Sequence, residues 1–173
     1  MTTQLQHLSQ SETGMLIRKP IREVFDAFIN PVITTQFWFT KSSNVLAAGK
    51  TVDWEWEMYG VSAPVMVLAV EPDRRILIEW PGEKGRTTVE WNFASYGESA
   101  TFVTILEKGF AGDGDELVRQ VAGSTEGFTL VLAGAKALLE YGIRLNLVGD
   151  RFPPSSEAYW GRHRYGCSSA SVP

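Results

Sequence analysis

From Val52 to Met58 the chain alternates apolar and acidic residues without a slip: Val52-Asp53-Trp54-Glu55-Trp56-Glu57-Met58. Successive side chains of a strand point to opposite faces, so Val52, Trp54, Trp56 and Met58 share one face and the three carboxylates take the other. The chain holds six tryptophans. Five of them (Trp38, Trp54, Trp56, Trp80 and Trp91) fall where a strand or strand edge aims them at one interior. Val89, Trp91 and Phe93 repeat the one-sided pattern, as do Ile76, Ile78 and Trp80, while Glu79, Glu90 and Asn92 take the partner faces. The fold must therefore give a sheet one strongly aromatic face and something to cover it.

The 173 residues suit one domain with a sizeable core. An apolar share of 44% and a net charge of −4 are those of a folded acidic protein. Without clustered Lys and Arg, binding to nucleic acid or to an anionic membrane is not expected. Cys167 is the single cysteine, so no intramolecular disulfide forms, which leans towards a reducing compartment. Met1–Gln10 is polar and lacks the apolar stretch of a signal peptide. No run of about 18 apolar residues is present to span a membrane. The expected location is the cytoplasm.

Ser11 to Lys19 reads as a first strand, stopped by Pro20, which suits the opening of a helix. Ile21, Val24, Phe25 and Phe28 continue at helical spacing until Asn30-Pro31, and a second short helix follows from Val32 to about Phe37. From Lys50 the period becomes two, with strands predicted over 50–58, 62–71, 75–80, 86–94 and 99–107, separated by turn residues. Asp113 and Glu116 form a capping-box pattern that opens a long helix, with Gly123-Ser124 as a candidate kink and Gly142 as its stop. Its apolar face holds Phe128, Val131, Leu132, Ala135, Leu138 and Leu139. Residues 1–10 read as a polar leader, 11–154 as a single domain and 155–173 as a tail carrying Tyr159, Trp160 and Tyr165. The class is α+β: a curved antiparallel sheet of about six strands wrapped around the long C-terminal helix, with two short helices after the first strand.

In order and spacing this chain resembles the helix-grip fold of the START/Bet v 1-like (SRPBCC) superfamily, in its Hsp90-ATPase-activator-homologue (AHSA1-like) branch. The residues that carry the likeness are Lys19-Pro20-Ile21-Arg22-Glu23-Val24-Phe25-Asp26-Ala27-Phe28 with Asn30-Pro31, then Phe37-Trp38-Phe39 and Gly49-Lys50. Further on are Glu71-Pro72, Arg74-Arg75-Ile76 and Trp80, and last Gly109-Phe110, Gly127-Phe128 and Leu138-Leu139-Glu140. The likeness spans about residues 11 to 154. It implies a single domain holding a small apolar or aromatic molecule under the long helix. It also implies alternatives: a chaperone-regulating partner module of the Hsp90 type, linked with stress response, or a cyclase- or dehydratase-like enzyme.

Phe37, Trp38, Trp54, Trp56, Met58, Met66, Trp80, Trp91, Phe93 and Phe128 are the candidate wall, offering flat faces to a planar guest. The same rings have a second reading, in which they pack directly on the last helix and fill the space. The likeness brings the two level. A ligand site also wants a few polar groups. Glu107 is the best candidate, because it shares a face with Val103 and Ile105, and a carboxylate beside an apolar interior is able to act as acid or base. Its place at a strand end favours instead a side chain that reaches water. Asp53, Glu55, Glu57, Glu79 and Glu90 form either a solvated face or a docking surface for a basic partner, and the first is the commoner arrangement. His7 and His163 are terminal and no HxxxH or CxxC spacing occurs, so neither a metal nor a Cys-His nucleophile is expected. Gly109, Gly112 and Gly114 lack a following Gly-Lys-Ser/Thr and read as a flap over the mouth rather than a phosphate loop. No cofactor is expected. The favoured reading is a non-enzymatic binder of a small hydrophobic or aromatic molecule, as a monomer or homodimer.

Overall fold

The computed structural model describes residues 10–153. His7, Tyr159, Trp160, His163, Tyr165 and Cys167 lie outside the described residues. The elements run β1 (Gln10–Ile17), α1 (Ile21–Ile29), α2 (Pro31–Thr34), β2 (Lys41–Ser42) and β3 (Thr51–Trp56). There follow β4 (Val61–Glu71), β5 (Arg75–Gly82), β6 (Gly85–Tyr96), β7 (Ala100–Lys108), α3 (Gly114–Tyr141) and α4 (Leu147–Arg151). All strands join one antiparallel curved sheet in the order β1-β7-β6-β5-β4-β3-β2. The helix-grip expectation therefore holds, with a seventh strand: β2 is two polar residues beside β3, too short to carry a period.

The predicted strand 50–58 ends early. Its alternation continues on paper to Met58, but Glu57–Tyr59 form a 3-10 turn closed by Gly60 in the left-handed region (φ 62°). Elsewhere the alternation is obeyed, apart from an irregularity between Val67 and Ala69 of β4. Val52 and Trp54, then Ala63, Val65 and Val67, then Ile76 and Ile78, then Val89, Trp91 and Phe93 are buried on the inner face. The outer-face acids are met by the chain's own cations: Glu55 by Lys41 at 3.0 Å, Glu90 by Arg75 at 2.8 Å, and Glu79 by Arg86.

Helix α3 is continuous through Gly123 and Ser124, so these residues do not divide it. Its start is a complete capping box. Asp113 accepts from the Glu116 backbone N–H at 3.1 Å, and the Glu116 carboxylate accepts from the Asp113 N–H at 3.2 Å. Gly142 ends it at φ 68°. The inward residues Gln120, Ser124, Phe128, Val131, Leu132 and Ala135 recur at helical spacing. At Gly134 an added Cβ would lie 3.2 Å from both the Cβ and the carbonyl oxygen of Phe37, so α3 packs closely on the main chain of the segment after α2.

The helix is also laced to β1. Ser124 meets Ser11 (2.6 Å), Thr129 meets Thr13 (2.8 Å), Lys136 Nζ donates to the Leu16 carbonyl (2.8 Å), and Glu140 accepts from the Arg18 N–H (2.7 Å). The two spacings agree. From Ser124 to Glu140 a helix rises about 24 Å, and from Ser11 to Arg18 a strand rises about 23 Å. The helix and the strand thus keep step along the whole contact.

No helix among the described residues is long and apolar enough to cross a membrane.

Two outcomes follow from these contacts. Asp113→Ala should lower stability by about 1 kcal/mol, read as a shift in a urea melt, because it removes the side-chain half of the cap. Glu140 is buried, which by itself raises a carboxyl's pKa. The Lys136 ammonium and the Arg18 N–H outweigh that effect and hold it below its usual 4.5. Its stabilising contribution is therefore complete above that pH and is lost as pH falls through the lowered value. Glu140→Gln should flatten the acid limb of the stability curve, measured by chemical denaturation from neutral pH down to about pH 3.

Candidate ligand-binding site

The aromatic side chains separate into two groups. Phe25 and Phe28 of α1 pack on Phe93 of β6 at 5.1 and 5.9 Å between ring centres, and Phe28 also meets Phe37 at 5.4 Å. These rings seal one side of the core. The second group centres on Trp38, in the turn that follows α2. Its ring lies 4.8 Å from Trp54, 5.9 Å from Trp91, 6.3 Å from Trp80 and 5.8 Å from Phe128. Strands β3, β5 and β6 and helix α3 therefore each contribute one ring around a residue held by none of them.

Trp38 is 9% exposed, whereas Trp54 and Trp91 are 1% and 2% exposed. Phe39, which the alternation does not single out because it precedes the strands, stacks on Trp54 at 4.6 Å and 20°. Trp56 reaches the group only at its rim, 6.1 Å from Phe39. Phe37 and Phe93 belong to the first group. Met58, in the 3-10 turn, is half-buried and leaves the strand face. Met66 is a correction: it alternates with the buried Val65 and Val67, faces outward and is 43% exposed. Counting from Val65 and Val67 places it outside.

Glu107 is the larger correction. It does not reach water at the strand end but is 4% exposed, inward with Val103 and Ile105. Three donors converge on it. Trp80 Nε1 and Thr87 Oγ1 donate to Oε1 at 2.9 and 2.5 Å, and Ser124 Oγ donates to Oε2 at 2.5 Å. Ser124 has one hydroxyl proton. With that proton on Glu107, the Ser11 hydroxyl is the donor in the 2.6 Å contact with Ser124. Among the described residues no ion pair involves Glu107. The polar cluster lies on four elements, β1, β6, β7 and α3, and its fifth arm is Trp80 of β5.

What covers the strand end is the start of α3 and the hairpin β5–β6. Arg119 holds Glu83 with two hydrogen bonds, at 3.0 and 2.9 Å, and Lys84 pairs with Glu116. Gly109 approaches the Arg86–Thr87 backbone so closely that a Cβ would meet Arg86 O at 3.2 Å, and Gln120 donates to the Ala111 carbonyl at 2.8 Å. The segment read as a flap is thus pinned on both sides.

Thr87, Ser124 and Ser11 escaped the sequence reading, yet each carried a signal. Thr87 continues the series Val89, Trp91, Phe93 backwards by one step of two. Ser124 lies four residues before Phe128. Ser11 shares a face with Ile17. Small hydroxyl residues on an inward face are ordinary, and only the unpaired carboxylate opposite makes them a cluster.

Trp80 joins the two halves of the site. Its indole N–H is held by Glu107, and its ring lies 6.2 Å from Trp54 and 5.9 Å from Phe128. The carboxylate therefore orients one wall of the aromatic group.

No curated protein matches the chain significantly. Among solved structures, the protein SSP2350 from Staphylococcus saprophyticus is 29% identical with a TM-score of 0.68, over 79% of this chain and 95% of that one. DynU16, from the dynemicin biosynthetic locus, is 22% identical (TM-score 0.66) over 79% of this chain and 49% of that one, so this chain spans about half its length. Aha1 from Colwellia psychrerythraea, solved as a dimer, is 16% identical (TM-score 0.65) over 77% of this chain and 97% of that one. These last two likenesses are of fold. The family model described as Activator of Hsp90 ATPase homolog 1-like protein matches residues 18–140, from the turn before α1 to the end of α3, and the chain belongs to that family.

Proposed function

We propose that the protein binds a small planar aromatic or apolar molecule between the sheet and α3, in the place that Trp38 occupies. The observation that carries this reading is the position of Trp38. Four rings from three strands and a helix face it, yet it stands in a turn with no ladder to hold it and is 9% exposed where Trp54 and Trp91 are 1% and 2%. A guest with the same flat apolar surface replaces its contacts one for one, at about 0.5–1.5 kcal/mol per aromatic pair. Glu107 serves the site by fixing Trp80 and is the polar group in an otherwise apolar lining.

A chaperone-regulating role needs a free charged or apolar docking surface. Three of the acids on the candidate surface, Glu55, Glu90 and Glu79, are already matched by Lys41, Arg75 and Arg86, which favours the interior as the candidate. A cyclase- or dehydratase-like reaction would use Glu107 as base. Trp80, Thr87 and Ser124 already occupy its oxygens, and that arrangement suits an orienting group.

Titration of tryptophan fluorescence with naphthalene, fluorene and anthracene should show saturable quenching. A spectrum unmoved by all three removes the reading. Trp38→Ala should bind the same ligands more tightly, by roughly tenfold, since about 1 kcal/mol or more of internal ring contact no longer has to be broken. Weaker binding would make Trp38 a wall rather than the occupant. Glu107→Gln should destabilise the fold by about 1–3 kcal/mol, because an amide turns one acceptor towards a donor as another donor. It should also weaken ligand binding by about tenfold through the loosened Trp80. Unchanged affinity would take Glu107 out of the site.

A further inference from the structure

Trp54 and Trp91 are among the most deeply buried large side chains of the core, and neither indole N–H has a hydrogen-bond partner. Another inward tryptophan of the sheet, Trp80, is satisfied by Glu107. A buried donor left unmade costs about 1–3 kcal/mol, and here two occur in one aromatic group. The ring of Phe128, edge-on to Trp91 at 5.9 Å and 90°, offers at most a weak N–H···π contact. An indole N–H donates and cannot accept, so what both positions lack is an acceptor.

The two rings are far apart in the ladder but meet the same residue. Trp54 is on β3 and Trp91 on β6, with β4 and β5 between them. The curvature of the sheet brings both rings against Trp38, at 4.8 and 5.9 Å. A molecule lying where Trp38 lies is therefore beside both. A water there gains one bond from an indole and needs two or more to be well held. An anion is disfavoured on two grounds: the lining is apolar, and Glu107 is already a buried carboxyl one ring away, through Trp80. A neutral oxygen carried on a flat ring meets both conditions.

We propose that the ligand of this site is an oxygenated aromatic, an aryl ketone or a related carbonyl compound, whose oxygen accepts from the indole N–H of Trp54, Trp91 or both. This rests on the binding reading above and narrows it from any flat apolar guest to one that carries a neutral acceptor. It also makes the pair a specificity device. A hydrocarbon of the same outline leaves both donors unmade, while a carbonyl relieves them.

Fluorene and 9-fluorenone test this, being planar and nearly the same size and differing at one carbon by a carbonyl. The probe is the indole region of a proton–nitrogen correlation spectrum of the full chain, with the peaks assigned from single Trp→Phe variants. Fluorenone should bind about tenfold more tightly than fluorene, a difference of about 1.4 kcal/mol. It should also move the Trp54 or Trp91 N–H resonance downfield, where fluorene does not. Trp54→Phe together with Trp91→Phe should bring the two affinities together while fluorene still binds. The difference between the two affinities in the wild-type protein decides the matter even where those variants fold poorly. Equal affinities with equal indole shifts would overturn the acceptor proposal and leave the aromatic-binding reading standing. No binding of either compound would overturn both.

Discussion

The contact between α3 and β1 is the constraint on which the rest of the molecule depends. A helix and a strand run side by side in step, because sixteen residues of one and seven of the other cover nearly the same length. Hydroxyl pairs, a lysine on a strand carbonyl and a glutamate on a strand N–H hold them at four levels. Since β1 is an edge strand of the sheet, this contact closes the open side of the curve. It also sets how far α3 stands from the rings of β3, β5 and β6. The space that Trp38 occupies is the distance left over.

The Glu107 cluster is the polar end of the same contact. Ser124 belongs both to the lacing of α3 on β1 and to the carboxylate's ligand shell, so helix position and carboxylate position are one variable. Through Trp80 the same group touches the aromatic half. A buried carboxyl with three donors and no ion pair among the described residues is costly to place unless its neighbours are rigid. Here they are supplied by three strands and a capped helix, and the cost is offset by the orientation they share. That coupling makes the interior one unit rather than a sheet with a lid.

Much of this was legible in the residues. Period-two patterning located β3 to β7, and the Asp113–Glu116 spacing located the start of α3 to the residue. The tryptophans did converge on one interior. What the pattern could not show was three-dimensional. Alternation places Trp54 and Trp91 on the same face of a sheet but says nothing of how far the sheet curls. Their meeting across β4 and β5 at Trp38 needed the curvature. Glu107 was misjudged for the same reason, since a strand end reaches water only when nothing sits beyond it. Arg119–Glu83 and Lys84–Glu116, which bring the β5–β6 hairpin onto α3, join residues more than thirty positions apart. Met66 shows the opposite failure, because its neighbours' burial already implied an outward side chain.

The pairing of β1 with β7 bears on how the chain comes together in time. As it leaves the ribosome, the strand at residues 10–17 waits for a partner some ninety residues later, and for its helix until Glu140 has been made. Until then β2 to β6 can zip as successive hairpins, each closing a short loop, while the first strand has nothing to join. The aromatic face of the half-made sheet stays uncovered through that interval. Its occupant in the finished molecule, Trp38, is already present by then, since it follows α2 in the chain and precedes β3. A tryptophan placed to shield that surface before α3 exists would spare the nascent sheet from sticking to other chains.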